Sequence, residues 1–131
     1  MPVVLIEKQS PQITLVTLNR PERRNSLTIE LLNELIAAIK VASDQADERV
    51  LILRGAGAAF CTGLDLKEAA DEKKAHMTAE LVAKTLITLA ETRLVTIAAA
   101  QRRSNRKGTL FVVPNEPVTC TRDGLQRASA Q

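Results

Sequence analysis

The stretch Gly55-Ala-Gly-Ala-Ala-Phe60-Cys-Thr-Gly63-Leu-Asp65-Leu decides the fold of this chain. An apolar run precedes it at residues 50–53, and a charged segment follows from Asp65. This order predicts a strand, a glycine-rich turn and a helix start, because glycine permits backbone conformations that other residues avoid. Asp65 is predicted to cap the helix, with Glu68 reaching back as in a capping box. Free N–H groups at such a turn can bind an anion, or an oxygen that becomes anionic during a reaction, although a plain structural turn remains the alternative.

The composition indicates one folded domain with an aliphatic core. The chain has 131 residues, of which 45% are hydrophobic and 25% charged, as in ordinary globular proteins. It contains two phenylalanines and neither tyrosine nor tryptophan, so aromatic platforms on which nucleic-acid bases could stack are almost missing. This composition argues against a specific nucleic-acid partner.

The two cysteines and the apolar runs bear on the cellular location. Cys61 and Cys120 are too few for a disulfide framework, and no Cys/His spacing predicts a metal site. The first residues do not have the form of a signal peptide, and no apolar run reaches the roughly 18 residues of a membrane span. We therefore expect a cytoplasmic protein without a metal or a membrane anchor.

The charge is distributed unevenly along the chain. Residues 1–100 carry 12 basic and 13 acidic side chains, whereas residues 101–131 carry 6 basic and 2 acidic ones. The composition therefore predicts a boundary near Gln101, with one domain over residues 1–101 and a basic, largely irregular tail over residues 102–131.

The hydrophobic pattern predicts the order β-β-α-β-α-α-β, which is typical of an α/β protein. The helix between the second and third strands is predicted to be capped by Ser26 or Thr28. It is predicted to bury a stripe of apolar residues at spacings of three and four, namely Ile29, Leu32, Leu35, Ile36, Ile39 and Ala42. The predicted strands cover residues 3–7, 13–18, 50–54 and 94–100, and the two later helices cover 65–74 and 77–93. A further strand is predicted at 109–113, and irregular chain at 114–131.

Three segments together carry a resemblance to a known family. They are Ile13-Thr-Leu-Val-Thr-Leu-Asn-Arg-Pro-Glu-Arg-Arg-Asn-Ser-Leu27, Val50-Leu-Ile-Leu-Arg-Gly-Ala-Gly-Ala-Ala-Phe-Cys-Thr-Gly-Leu-Asp-Leu66 and Leu94-Val-Thr-Ile-Ala-Ala-Ala100. In this order the chain closely resembles the enoyl-CoA hydratase/isomerase (crotonase) superfamily over about residues 3–101. The resemblance implies a ClpP/crotonase-like spiral of β-β-α units, and assembly into trimers or hexamers.

The resemblance also implies a site and a substrate class. Family members bind acyl-CoA thioesters and hold the thioester oxygen between two backbone N–H groups, with no separate cofactor. By motif position, the first of these catalytic donors is the N–H of Leu64. The loop of Thr62, Gly63, Leu64 and Asp65, with Lys67 nearby, would meet the CoA adenine. The other CoA contacts implied by the resemblance come from the loop that holds Arg23 and Arg24.

The sequence departs from the family pattern after Ala100. The family continues into a glycine-rich turn with the second N–H donor and then its acid/base carboxylates, whereas this chain reads Gln101-Arg-Arg-Ser-Asn-Arg-Lys-Gly108. Codons for Arg102 to Arg106 can be written so that another frame reads Gly-Ala-Ala-Ile-Ala. We therefore hypothesise a frameshift near codon 101 and a truncated, weakly active or inactive product. The alternative is a non-enzymatic crotonase-like fragment with residual CoA or partner binding.

Several of these residues also have simpler interpretations. Asp65 is better explained as a helix cap than as an acid or base, and Cys61 as a small buried side chain than as a reactive thiol. Arg23 and Arg24 suit phosphate groups, but they fit a solvated loop equally well.

Overall fold

The computed structural model of this chain describes residues 2–99 together with residues 118–121 and 124–127. A short 3₁₀ turn at Pro21–Arg23 follows the second strand. The elements in chain order are β1 (Val4–Ser10), β2 (Ile13–Leu18), α1 (Ile29–Asp44), β3 (Val50–Gly55), α2 (Leu66–Ala69), α3 (Glu72–Glu91), β4 (Val95–Ala99), β5 (Val118–Thr121) and β6 (Gly124–Arg127). The predicted α/β class is confirmed.

The described strands form one sheet in the order β1-β2-β3-β4-β5-β6. The outer pairs β1–β2 and β5–β6 are antiparallel, and the pairs between them are parallel. The parallel register aligns Leu18 with Gly55 and Arg54 with Ala99. The carboxyl ends of β2, β3 and β4 therefore meet at one edge of the sheet, and the glycine-rich stretch leaves the sheet from that edge.

The hydrophobic core lies between one face of the sheet and the helices α1 and α3. Leu51 and Leu53 of β3 are buried, whereas Ile52 and Arg54, which point to the opposite face, are more exposed. The predicted stripe on α1 is buried, apart from Ile29, and Leu31 joins it. The core members from the helices are Leu31, Leu32, Leu35, Ala38, Ile39, Ala42 and Leu89.

The larger differences from the predicted boundaries have local causes: β1 ends later, α2 ends earlier, and α3 begins at Glu72 instead of residue 77. β1 continues to Ser10 because its pairing with β2 runs past a register shift between Lys8 and Ser10. The helix predicted over residues 65–74 is wrong as a single element, since the carboxylate of Asp71 accepts hydrogen bonds from the backbone N–H groups of Lys73 and Lys74. Asp71 thus caps a new helix, and α2 ends before it.

The tail is described only in part. The irregular chain predicted for residues 114–131 is wrong for β5 and β6, which extend the sheet beyond β4. The strand predicted at residues 109–113 lies outside the described residues. The domain boundary near Gln101 stays a prediction.

Candidate functional site

Two glycines shape the turn that begins the site. An ideal Cβ on Gly55 would lie 2.4 Å from the carbonyl oxygen of Phe60, so the turn passes too close to β3 for any side chain there. Gly57 has a φ of 81°, a left-handed value that glycine adopts at little cost. The close turn allows Phe60, which is 1% exposed, to fill the core below the site.

Asn25 holds this turn from the other side. The residue is fully buried, and its side-chain N–H groups donate to the carbonyl oxygens of Ala56 at 2.9 Å and Ala59 at 2.8 Å. Its φ of 57° is left-handed, a conformation in which asparagine is enriched. The loop after β2 and the loop after β3 therefore form one rigid unit.

The backbone around Leu64 has a fixed direction. Leu27 forms a parallel bridge with Leu64: its N–H donates to the carbonyl of Gly63 at 2.7 Å, and its carbonyl accepts from the N–H of Asp65 at 3.0 Å. In such a bridge, the N–H and carbonyl of the middle residue point away from the partner. The Leu64 N–H therefore points away from Leu27, and it has no acceptor among the described residues.

A pocket of about 360 Å³ opens beside this loop. Of the residues predicted for the site, the structure brings Arg23, Thr62, Leu64, Asp65 and Lys67 together as pocket lining. Two predicted residues, Gly63 and Arg24, are not part of the pocket lining. Gly63 lies within the loop with a φ of 109°, and the carbonyl of Arg24 accepts a hydrogen bond from the Thr62 hydroxyl at 3.3 Å. Ser26 and Leu66 complete the lining.

Asp65 is a helix cap in the structure. One carboxylate oxygen accepts from the N–H groups of Lys67 at 3.0 Å and Glu68 at 3.2 Å, and the other faces Ser26 and Arg20. Burial raises the pKa of Asp65, but the hydrogen bonds from Glu68, Ser26 and Lys67 and the charge of Arg20 together bring that pKa below its usual value. The carboxylate is therefore ionised at neutral pH and engaged, which favours the cap over an acid or base.

The capping box predicted for Glu68 is wrong. Its carboxylate accepts a hydrogen bond at 2.9 Å from the N–H of Ile29, the first residue of α1, and the Asp65 N–H is already bound to Leu27. Glu68 thus satisfies a free donor of another helix, 39 residues away along the chain.

Cys61 is a buried part of this loop. Its side chain is 5% exposed, and burial raises the pKa of the thiol, although a backbone hydrogen bond with Gly63 acts in the opposite direction. The thiol is therefore protonated at neutral pH, as expected for a small buried side chain.

The sequence interpretation missed three residues that shape the site, namely Arg20, Asn25 and Leu27. Arg20 and Asn25 lie in a polar loop that contains Pro21. The sequence of such a loop does not show which of its side chains are buried or what they bind. Asn25 could have been found as a residue type that accepts left-handed φ next to a turn. Leu27 acts through its backbone, which carries no residue-specific signal.

Apolar side chains flank the polar pocket. Leu66 is 84% exposed and Leu64 45%, and both line the pocket. Large exposed apolar side chains close to a polar pocket suit a ligand with both polar and apolar parts.

Among the described helices, none is long and apolar enough to cross a membrane.

Comparison with known proteins gives a consistent family match. A family model described as enoyl-CoA hydratase/isomerase matches residues 8–115, past the predicted boundary near Gln101. A probable enoyl-CoA hydratase (echA8) of Mycobacterium bovis is 37% identical over 97 residues, which are 73% of this chain and 37% of that protein. A probable enoyl-CoA hydratase (echA12) of Mycobacterium leprae is 38% identical over 65 residues, which are 50% of this chain and 22% of that protein.

The solved structures agree with the sequence match. The crystal structure of an enoyl-CoA hydratase from Bacillus anthracis superposes with a TM-score of 0.70 at 32% identity. It covers 75% of this chain, and this chain covers 39% of it. The predicted crotonase-like fold is confirmed, and the chain spans well under half the length of these relatives.

Proposed function

The chain belongs to the enoyl-CoA hydratase/isomerase family, and on that premise we propose that residues 62–67 bind an acyl-CoA thioester through the N–H of Leu64. The observation that carries this proposal is the bridge with Leu27, which leaves that N–H directed away from Leu27 and without an acceptor among the described residues. A fixed donor of this kind stabilises an oxygen on which negative charge develops.

The surroundings of Leu64 support an acyl-CoA as the ligand class. Arg23 and Lys67 supply positive charge for phosphates, and the Thr62 hydroxyl and loop backbone offer polar contacts for the adenine. Leu64 and Leu66, which line the pocket and are exposed, supply an apolar border for the acyl chain. Arg24 lies on the same loop as Arg23 and is a second candidate for the phosphates, whereas Gly63 acts by shaping the backbone.

In the reaction that we propose for the complete site, the thioester carbonyl is polarised. Water then adds to Cβ of the enoyl group as a base takes its proton, or a base removes a proton from the acyl chain; either step forms an enolate. Protonation of that enolate gives the hydrated or the isomerised product. Leu64 supplies one donor. The position of the second donor follows Ala99 and lies outside the described residues. Asp65 is engaged as a cap and Glu68 as an acceptor for Ile29, so we assign neither of them the proton transfer. Because the sequence after Ala100 departs from the family pattern, we expect weak or no turnover by this chain.

The second candidate is a non-enzymatic crotonase-like protein that retains CoA or partner binding. The hydrogen bonds that hold the loop around Leu64 favour this second candidate, because binding needs only that loop. We place either form in the cytoplasm and expect trimeric or hexameric assembly where the family contacts are present. The CoA thioester is the substrate in this proposal, and no further cofactor is required.

Gly63→Val tests the proposal. Because Gly63 has a φ of 109°, which valine adopts only with strain, we expect the loop to rearrange and the affinity for crotonyl-CoA to fall about tenfold or more. The measurement is isothermal titration calorimetry of the folded variant. Ala37→Val, an exposed position on α1, is the control that adds bulk elsewhere. Equal affinity of Gly63→Val and the control would contradict binding at this loop.

A further inference from the structure

Arg20 lies directly behind the loop that carries Leu64, without lining the pocket. Its side chain is only 16% exposed and paired with the 12% exposed side chain of Asp65. One guanidinium nitrogen donates to the carbonyl of Ser26 at 2.7 Å and to its hydroxyl at 3.0 Å, and the other donates to Asp65 Oδ2 at 3.4 Å. Arginine can bridge two acceptors in this way because its donors form a planar fork.

The backbone of Arg20 is held as firmly as its side chain. Its N–H donates to the side-chain oxygen of Asn25 at 2.7 Å, and its carbonyl accepts from the N–H of Asn25 at 2.8 Å. Asn25 in turn holds the turn after β3. Arg20 therefore reaches Asp65 from an anchored position.

Asp65 transmits this anchor to Leu64. Its Oδ1 accepts from the N–H groups of Lys67 and Glu68, and its Oδ2 accepts from Arg20 and Ser26. Its own N–H donates to the carbonyl of Leu27. The Leu64 N–H belongs to the peptide between Gly63 and Leu64, whose carbonyl accepts from Leu27, and the residue that follows Leu64 is Asp65, with both carboxylate oxygens engaged. Without the partners of Oδ2, Asp65 would be held only by the hydrogen bonds of Oδ1 to α2 and by the bond from its N–H to the carbonyl of Leu27.

Charge gives Arg20 a second effect on the same donor. Asp65 lines the pocket, so its carboxylate adds a negative charge to the border of the proposed site. A negative charge there repels a developing anion, and the repulsion is strong in a partly desolvated site. Arg20 places a permanent positive charge against that carboxylate and reduces the repulsion.

We propose that Arg20 is a positioning residue, which fixes the direction of the Leu64 N–H and neutralises Asp65 without touching the ligand. The proposal rests on the proposed function for its catalytic meaning, but its structural part is measurable without a ligand. The N–H groups of Leu27 and Asp65 report on the bridge, because each donates to a backbone carbonyl across it.

The first readout is amide hydrogen exchange, followed by NMR in the chain without ligand. In Arg20→Met we expect the Asp65 and Leu27 amides to exchange about tenfold faster relative to the amides of α1, because a hydrogen-bonded charge pair is lost. Arg20→Lys keeps the charge but offers a single donor group, so we expect it to restore part of the protection. Arg49→Met removes an exposed arginine at the opposite edge of the sheet, and we expect no change at these amides.

The second readout is the absorption of a bound aminocinnamoyl-CoA thioester, which moves to longer wavelength when its carbonyl oxygen accepts a hydrogen bond. We expect the shift to decrease in Arg20→Met, to recover partly in Arg20→Lys and to persist in Arg49→Met. Wild-type exchange rates at the Leu27 and Asp65 amides in Arg20→Met would overturn the proposal, even if the absorption shift were lost. The absence of any shift with the wild-type chain would instead refute the proposed function, and the exchange rates would still decide the role of Arg20.

Discussion

Replacing Gly55 with alanine is expected to lower the free energy of unfolding by about 3 kcal/mol, because the new methyl group has no room. Its Cβ would lie 2.4 Å from the carbonyl oxygen and 2.7 Å from the Cα of Phe60. Both are backbone atoms, so neither can rotate away as the end of a flexible side chain would. The turn would have to move and would displace Phe60 from the core.

Urea unfolding followed by circular dichroism measures this effect. Ala58→Val is the matched control, because it adds bulk to an exposed position of the same turn and should change the stability by no more than about 0.5 kcal/mol. A Gly55→Ala variant as stable as this control would show that the turn is not packed against β3 as described.

The second large effect on the free energy of unfolding is expected at Glu48, a buried acid at the edge of the sheet opposite the candidate site. Glu48 lies in the connection from α1 to β3 and is fully buried. One of its carboxylate oxygens accepts hydrogen bonds from Lys8 Nζ and, at 2.7 Å, from the hydroxyl of Thr14. The other oxygen has no hydrogen-bond partner among the described residues. Burial raises the pKa of Glu48, but the bonds from Lys8 and Thr14 and the charges of Lys8 and Arg93 outweigh it, so that pKa lies below its ordinary value.

We expect Lys8→Met to lower the free energy of unfolding by about 2 kcal/mol at neutral pH, since it leaves a buried carboxylate without its hydrogen-bonded countercharge. Adding Glu48→Met should recover most of that loss, because an apolar side chain removes the unpaired charge. Chemical unfolding of the two variants measures both values. Lys40→Met, at an exposed lysine of α1, serves as the control. A double variant no more stable than Lys8→Met would contradict this account.

The pH dependence has a defined sign. A carboxyl whose pKa is lowered by folding stabilises the protein above its unfolded pKa, here about 4.5, and the stabilisation is lost as the pH falls through the folded value. The difference between the wild-type chain and Lys8→Met should therefore shrink below about pH 4.5, because protonation removes the charge that Lys8 compensates.

Local patterns predicted the elements of this fold more accurately than the bonds between them. The spacing of Leu32, Leu35, Ile36 and Ile39 fixes the buried face of α1, because one helix turn brings these positions together. The run at residues 50–53 forms the predicted strand, but its four apolar residues did not show that, in the described part of the chain, the helices cover one face of the sheet only. Periodicity over four residues does not distinguish a sheet covered on one face from a sheet covered on both.

The sequence marked the loop that lines the candidate pocket, but it did not show how that loop is held in place. The glycines and Asp65 mark the loop through local conformation, and the family resemblance identified Leu64 within it. The contacts that orient Leu64 join residues far apart in the chain, such as Leu27 with Gly63, Asn25 with Ala56 and Glu68 with Ile29. A local pattern contains no information on such pairs, and the partners of Arg20 and Glu68 emerge only from the folded chain.

The most direct test of the central claim follows the amide proton of Leu64 by NMR during titration with butyryl-CoA and, separately, with CoA that lacks an acyl group. If the Leu64 N–H binds the thioester oxygen, its resonance should move downfield and its exchange with solvent should slow with butyryl-CoA, whereas free CoA should perturb only its neighbours Thr62 and Lys67. The same resonance at the same position with both ligands, at concentrations that saturate the pocket, would contradict the account.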